Sequence, residues 1–216
     1  MRILAFSDLH GSFDAVEKVL RDEVAFDAVV IGGDLTTHGT SAEACGAVER
    51  FQRCGRPLVV VAGNMDPPEA DNGFAGLGVS INARGLTIGD AGFFGVSASP
   101  FTPFRTPYEI SEEEIRERAE AGWAEVSAAR WKVFVPHAPP ARTALDRTFF
   151  GKHVGSTAVR EFIEARTPHV VVCGHIHEAR GTDTIGATRM VNCGQAGKGY
   201  YAVVTLADQI TVETRG

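Results

Sequence analysis

Apolar residues in this chain gather into short uninterrupted runs, and most of those runs stop at a small polar segment. Residues 2–6, 28–31, 57–61, 131–135 and 169–173 each read as a strand with no polar alternation, the pattern of a strand covered on both faces. Between them the apolar spacing changes to that of a helix. Phe13, Val16, Val19 and Leu20 predict a helix over 13–22 with Ser12 as its cap. Ala44, Val48 and Phe51 mark a second, opened by Ser41 and running to about residue 53. Ser111 and Glu114 form the pattern of a capping box ahead of Ile115, Ala119, Trp123 and Val126. Val159, Phe162 and Ile163 belong to a helix starting near Ser156. Strands that alternate with helices predict βαβ units and a parallel sheet.

The middle and the tail are less regular. Residues 85–96 suggest short strands joined by a turn near Gly89-Asp90. Residues 97–108 hold Pro100, Pro103 and Pro107 with Phe101, Phe104 and Tyr108, and read as a loop that is either a surface connection or a wall over a site. Residues 188–192, 200–206 and 209–213 predict antiparallel strands, with Ala207-Asp208 as the last hairpin turn.

Composition narrows the picture without deciding it. At 216 residues the chain is expected to form one domain, 1–216. A net charge of -6 argues against a sequence-independent grip on nucleic acid, which needs a basic face. No apolar stretch has the length of a signal-peptide core or a membrane span, so the expectation is a cytoplasmic protein with no membrane partner. The four cysteines show neither CxxC nor zinc-finger spacing and are expected to be reduced thiols.

The chemistry is concentrated where strands end. Five of them deliver ligand-type side chains: Asp8 and His10, then Asp34, Asn64, His137, and finally His175 with His177. In His175-Ile176-His177 the spacing of two puts both imidazoles on one side of an extended segment. In parallel α/β sheets the carboxyl ends of strands lie along one edge, where such folds place their sites. Seven donors exceed one tetrahedral site and suit two ions that share a carboxylate. A donor set without cysteine points to manganese, iron, zinc, nickel or cobalt.

Asp8-Leu9-His10, Gly33-Asp34, Gly63-Asn64, His137 and Gly174-His175-Ile176-His177 resemble, in order and over nearly the whole chain, the motif series of calcineurin-like metallophosphoesterases. The resemblance implies an α/β fold, a four-layer α-β-β-α sandwich of two mixed sheets, with a dinuclear centre at one edge. By position, Asp8, His10, Asp34 and His177 would hold one ion, and Asp34, Asn64, His137 and His175 the other. Asp34 would bridge, and a hydroxide between the ions would attack phosphorus. The implied substrate is a small-molecule phosphoester.

One block departs from the pattern. Many relatives carry a histidine after the asparagine of the third block, which helps protonate the leaving oxygen; here Met65 stands there. A thioether donates no proton, and loss of a general acid costs roughly 10²–10⁴-fold when the leaving group needs one. His38 is the sequence's candidate replacement, and the variant block resembles a small bacterial and archaeal phosphodiesterase branch. A phosphodiesterase is therefore expected ahead of a monoesterase. A non-catalytic interaction scaffold on the same fold and a nuclease are the alternatives, and a homo-oligomer stays open. The segment 194–199 lacks the Lys-Ser/Thr ending of a phosphate loop and is expected to be a tight loop beside the metal edge. Lys152 and His153 are expected in a solvated loop, His169 and Cys173 in structural roles.

Overall fold

Two mixed sheets lie face to face, each flanked on its outer side by helices; the computed structural model describes residues 1–23 and 25–216. The first sheet holds β1 (Arg2–Phe6), β2 (Ala28–Ile31), β3 (Leu58–Val60), β12 (Tyr201–Thr205) and β13 (Thr211–Arg215). Its order is β13-β12-β1-β2-β3, with β1, β2 and β3 parallel, β12 antiparallel to β1, and β13 antiparallel to β12. The second holds β4 (Gly85–Ile88), β5 (Ala91–Val96), β8 (Trp131–Pro136), β9 (Val170–Cys173), β10 (Gly181–Ile185) and β11 (Thr188–Asn192). Its order is β10-β11-β9-β8-β5-β4, four parallel strands with an antiparallel strand at each edge. A two-residue pair, β6 (Ser99–Pro100) and β7 (Glu109–Ile110), closes the base of the 97–108 loop.

Because successive side chains of a strand alternate in direction, the apolar runs split between two interiors. Ile3, Ala5, Val30 and Val59 of the first sheet meet Phe93, Val133, Val135, Val170, Val172 and Val191 of the second in one buried cluster. Their neighbours face helices: α1 (Phe13–Asp22), α2 (Ser41–Gln52) and α3 (Ala70–Gly76) over the first sheet, α4 (Glu112–Val126) and α5 (Thr157–Arg166) over the second. Phe94, Phe134 and Phe162 pack as a tight aromatic group under Trp123. The continuous apolar strands are thus explained by burial on both faces.

Several local expectations change. Ser12 stands at the start of α1 but makes no side-chain capping bond. Thr40 and Glu43 cap α2 reciprocally. Ser111 accepts from Glu114 N at 3.1 Å, but the Glu114 carboxylate turns to Arg118, so only half of a capping box forms. Glu112 instead crosses to cap α5, accepting from Thr157 N at 3.0 Å and Ala158 N at 2.9 Å. The tail is not uniformly antiparallel, because β11 runs parallel to β9. Thr205 faces Thr211, so the final connection spans 206–210 rather than turning at Ala207-Asp208. α3 and β10 have no counterpart in the sequence-based expectation.

Candidate metal centre

Every ligand-bearing segment leaves the carboxyl end of a parallel strand: residues 7–11 after β1, 32–38 after β2, 61–67 after β3, His137 after β8, and 174–177 after β9. The first two segments continue side by side as a backbone ladder, with Asp8 N to Gly33 O at 3.0 Å, His10 N to Asp34 O at 2.9 Å and Gly11 N to Leu35 O at 2.9 Å. This ladder needs a left-handed backbone at Asp8 (φ 56°), His10 (φ 48°) and Asp34 (φ 53°), and His175 is the same (φ 69°). Such conformations cost energy in non-glycine residues, and they collect where a site over-determines the chain.

All seven sequence candidates come together. Around Asp8, the His177 Nε2 lies 3.4 Å from Oδ1 and 3.2 Å from His10 Nε2. Asn64 Oδ1 sits 3.0 Å from His137 Nε2 and 2.8 Å from His175 Nδ1. Asp34 stands between these groups: its Oδ2 is 3.7 Å from His10 Nε2, and its Oδ1 is 3.6 Å from His137 Nε2. Donor atoms of Asp8, His10 and His177 lie close enough to share one cation, as do those of Asp8, Asp34 and His137.

The protonation pattern favours a cation over a bare hydrogen-bond network. Gly32 O, which can only accept, lies 2.7 Å from His137 Nδ1, so that nitrogen carries the ring proton. Burial lowers the His137 pKa and keeps the ring neutral, leaving Nε2 as a lone pair aimed at Asn64 Oδ1, another acceptor. Two acceptors at that distance repel unless a positive charge lies beside them. Burial likewise pushes His175 down to about 3, with the neighbouring His137 adding to the effect, and lowers His10. Asp34 is raised well above the usual carboxylate range by burial and then by the charges of Asp8 and Asp66. Burial opposes the charge of Asp8 too, but bonds and charges from His177 and His137, with the His175 N–H, hold its carboxyl low. His177 alone is raised, by its bond to Asp8; the other three imidazoles, lowered by burial, and the crowded carboxylates form a divalent-cation donor set.

Several supporting groups were not evident from the sequence. Asp66 is fully buried and accepts from Leu35 N at 3.1 Å, Thr36 N at 2.8 Å and Gly63 N at 2.9 Å, tying the Asp34 segment to the Asn64 segment. Asn192, also buried, donates to Gly174 O at 3.2 Å and Ile176 O at 2.9 Å and so fixes the loop of His175 and His177. An asparagine closing an apolar strand was the available signal. Glycine is required at two approaches: a Cβ on Gly63 would overlap the Asp34 carboxylate and backbone, and one on Gly174 would overlap Ser7 and Asp8.

Met65 N donates to Asp34 Oδ1 at 2.7 Å, so this residue orients the carboxylate through its backbone. His38 is exposed and joins the same segment through its own backbone N–H, 3.1 Å from Met65 O. The loop 97–108 is hooked to the site by Tyr108 N, 3.0 Å from Asn64 O. The segment 194–199 lies against the first ligand segment, with Ala196 N 3.0 Å from Ser7 O. His169 accepts from Lys132 N at 3.1 Å, and Cys173 is buried, both structural. Lys152 and His153 are exposed, as expected, and His153 Nδ1 also lies 2.7 Å from Asp146 Oδ1.

Comparison with known proteins agrees with this geometry. A family model described as calcineurin-like phosphoesterase matches residues 1–179. The chain is 31% identical over 220 residues to uncharacterized protein MJ1162 of Methanocaldococcus jannaschii, an alignment covering 99% of this chain and 96% of that protein. It is 28% identical over 226 residues to UPF0046 protein K07C11.7 of Caenorhabditis elegans, covering 92% and 71%. The crystal structure of TT1561 of Thermus thermophilus superposes with a TM-score of 0.77 at 21% identity, covering 99% and 97%. A dimetal phosphatase from Danio rerio superposes with a TM-score of 0.62 at 12% identity, covering 100% and 96%. These structural likenesses bear on the fold. No described helix is long and apolar enough to cross a membrane.

Proposed function

We propose, from the premise that this chain belongs to the calcineurin-like phosphoesterase family, that it is a metal-dependent hydrolase of small-molecule phosphoesters working with two ions. The observation that carries this is the position of Asp34, whose two carboxyl oxygens face His10 at 3.7 Å and His137 at 3.6 Å. A carboxylate flanked in this way suits a bridge between two ions. Asp8, His10 and His177 complete one donor group, and Asn64, His137 and His175 the other. Ions held there would lower the pKa of water towards ~7 and offset charge on the phosphoryl oxygens.

The chain's own residues supply orientation. Gly32 O fixes the His137 tautomer, and Thr37 Oγ1 lies 2.8 Å from His10 Nδ1, leaving the Nε2 atoms of both rings for metal. A diester is favoured over a monoester because Met65 stands where many relatives carry a proton-donating histidine.

Metal analysis of the purified chain, with rates on bis(4-nitrophenyl) phosphate and 4-nitrophenyl phosphate, tests this. The expected result is two transition-metal ions per chain, faster diester hydrolysis, and loss of both metal and turnover in Asp34→Asn. Metal uptake without turnover on either ester would favour the interaction scaffold.

A further inference from the structure

We propose that Asp71 and Tyr108 are positioning residues for one ion of the pair, the one assigned above to Asn64, His137 and His175; this rests on the two-ion reading of the site. They act through the two ends of the 97–108 loop, without touching metal or substrate. Asp71, in the first turn of α3, receives three side-chain bonds. Ser97 Oγ donates to its Oδ1 at 2.7 Å, while Asn82 Nδ2 (2.7 Å) and Tyr108 Oη (2.8 Å) donate to its Oδ2. Asn82 Oδ1 closes the ring by accepting from Ser97 N at 3.0 Å. Arg118 of α4 donates to Tyr108 Oη at 2.7 Å and lies over its ring, 5.6 Å from the centroid.

The same residues grip the ligand segment after β3 on both sides of Gly63. Before it, Ala62 N donates to Ser97 Oγ at 2.9 Å, and Ala62 O accepts from Ala98 N at 3.1 Å. After it, Asn64 O accepts from Tyr108 N at 3.0 Å. His137 N donates to the O of Val96, the residue before Ser97, at 3.0 Å. Asn64 Oδ1 is the oxygen that faces His137 Nε2 and His175 Nδ1, so turning the 62–64 backbone would carry it off both rings.

The carboxylate sets the direction of these bonds. Ser97 Oγ accepts from Ala62 N and Tyr108 Oη from Arg118, so each hydroxyl spends its one proton on Asp71. Burial pushes the Asp71 carboxyl up, and the Ser97 and Tyr108 hydroxyls with the Arg118 charge oppose it. A carboxylate enclosed like this costs desolvation that an apolar side chain would avoid, so its use here is to aim both loop ends. The other donor group is held differently, by the ladder from Asp8 N to Gly33 O and His10 N to Asp34 O and by Thr37 on His10 Nδ1. Disturbing Tyr108 should therefore separate the two ions.

The test titrates the metal-free full chain with zinc and follows the imidazole 15N resonances of His10, His137, His175 and His177. Tyr108→Phe removes one oxygen and keeps the ring. It is expected to weaken zinc uptake at His137 and His175 by about 10-fold and to leave His10 and His177 as in the wild type. Asp71→Asn should show the same selectivity, and the double variant should lose no more than Asp71→Asn, as expected of groups in one network. Tyr108→Phe alone decides should Asp71→Asn fail to fold. Equal weakening at all four histidines, which a merely structural role would give, overturns the assignment alone, as does no weakening in Tyr108→Phe. A wild-type chain that binds fewer than two zinc ions overturns the two-ion reading and this assignment with it.

Discussion

The two sheets contribute unlike halves to the centre. From the first come Asp8, His10, Asp34 and Asn64, three oxygen donors and one nitrogen; from the second come His137, His175 and His177, all nitrogen. The first half carries the electrostatic difficulty, since Asp8 and Asp34 are buried together and Asp34 is pushed up as a result. The second half brings His137 and His175, kept neutral by burial, and His177, whose raised pKa answers the charge of Asp8 but not that of Asp34. A cation between the halves would answer the carboxylate of Asp34 as well, so ion binding should also join one sheet to the other.

The largest disturbance should come from Gly63→Ala, because a methyl group there collides with Asp34 on the first half and cannot be turned aside. It is expected to abolish metal uptake and destabilise the fold by about 1–3 kcal/mol or more, measured by metal content and urea unfolding. A smaller effect is expected on the second half from Asn192→Ala, which frees the His175 loop without touching a ligand. Groups that orient ligands are typically worth roughly 10–100-fold in metal affinity, readable by competition with a chelator, while urea stability should fall far less than in Gly63→Ala.

The mildest test is acid. His137, His175 and His10 have folded pKa values below their ordinary 6.5. Below about pH 6.5 the unfolded chain therefore binds protons that the folded chain refuses, and stability falls as pH falls. Thermal melts of the metal-free protein should drop progressively from about pH 7 towards about pH 5. His177 and Asp34, whose pKa values are raised, act in the opposite sense, so a flat profile would mean that these two balance His137, His175 and His10.

Much of the centre was legible because strand ends carry the donors. A parallel sheet converts that sequence regularity into spatial convergence, so Asp8, Asp34, Asn64 and His137 could be nominated without coordinates. The supporting residues were not, because Asp66 and Asn192 act through backbone groups of distant segments that only the fold brings near. Local physics explains the missed elements. α3 is seven residues long and follows Pro67-Pro68, with Asn72 and Gly73 diluting any helical signal. β10 is an edge strand of Gly-Thr-Asp-Thr-Ile, too polar to stand out as an apolar run. The parallel placement of β11 depends on β9, which β10 leaves free by taking the opposite edge.

Asp8 and His175 meet although 167 positions separate them in the chain. A ribosome that has released β1, β2 and β3 has produced the acidic side of the cage and none of its imidazole wall. The nascent polypeptide can therefore not complete its cage while most of it is still being translated. An ion held by all of these donors would be captured only after β9 has emerged and settled between β8 and β11, which would make metallation a late checkpoint on correct assembly.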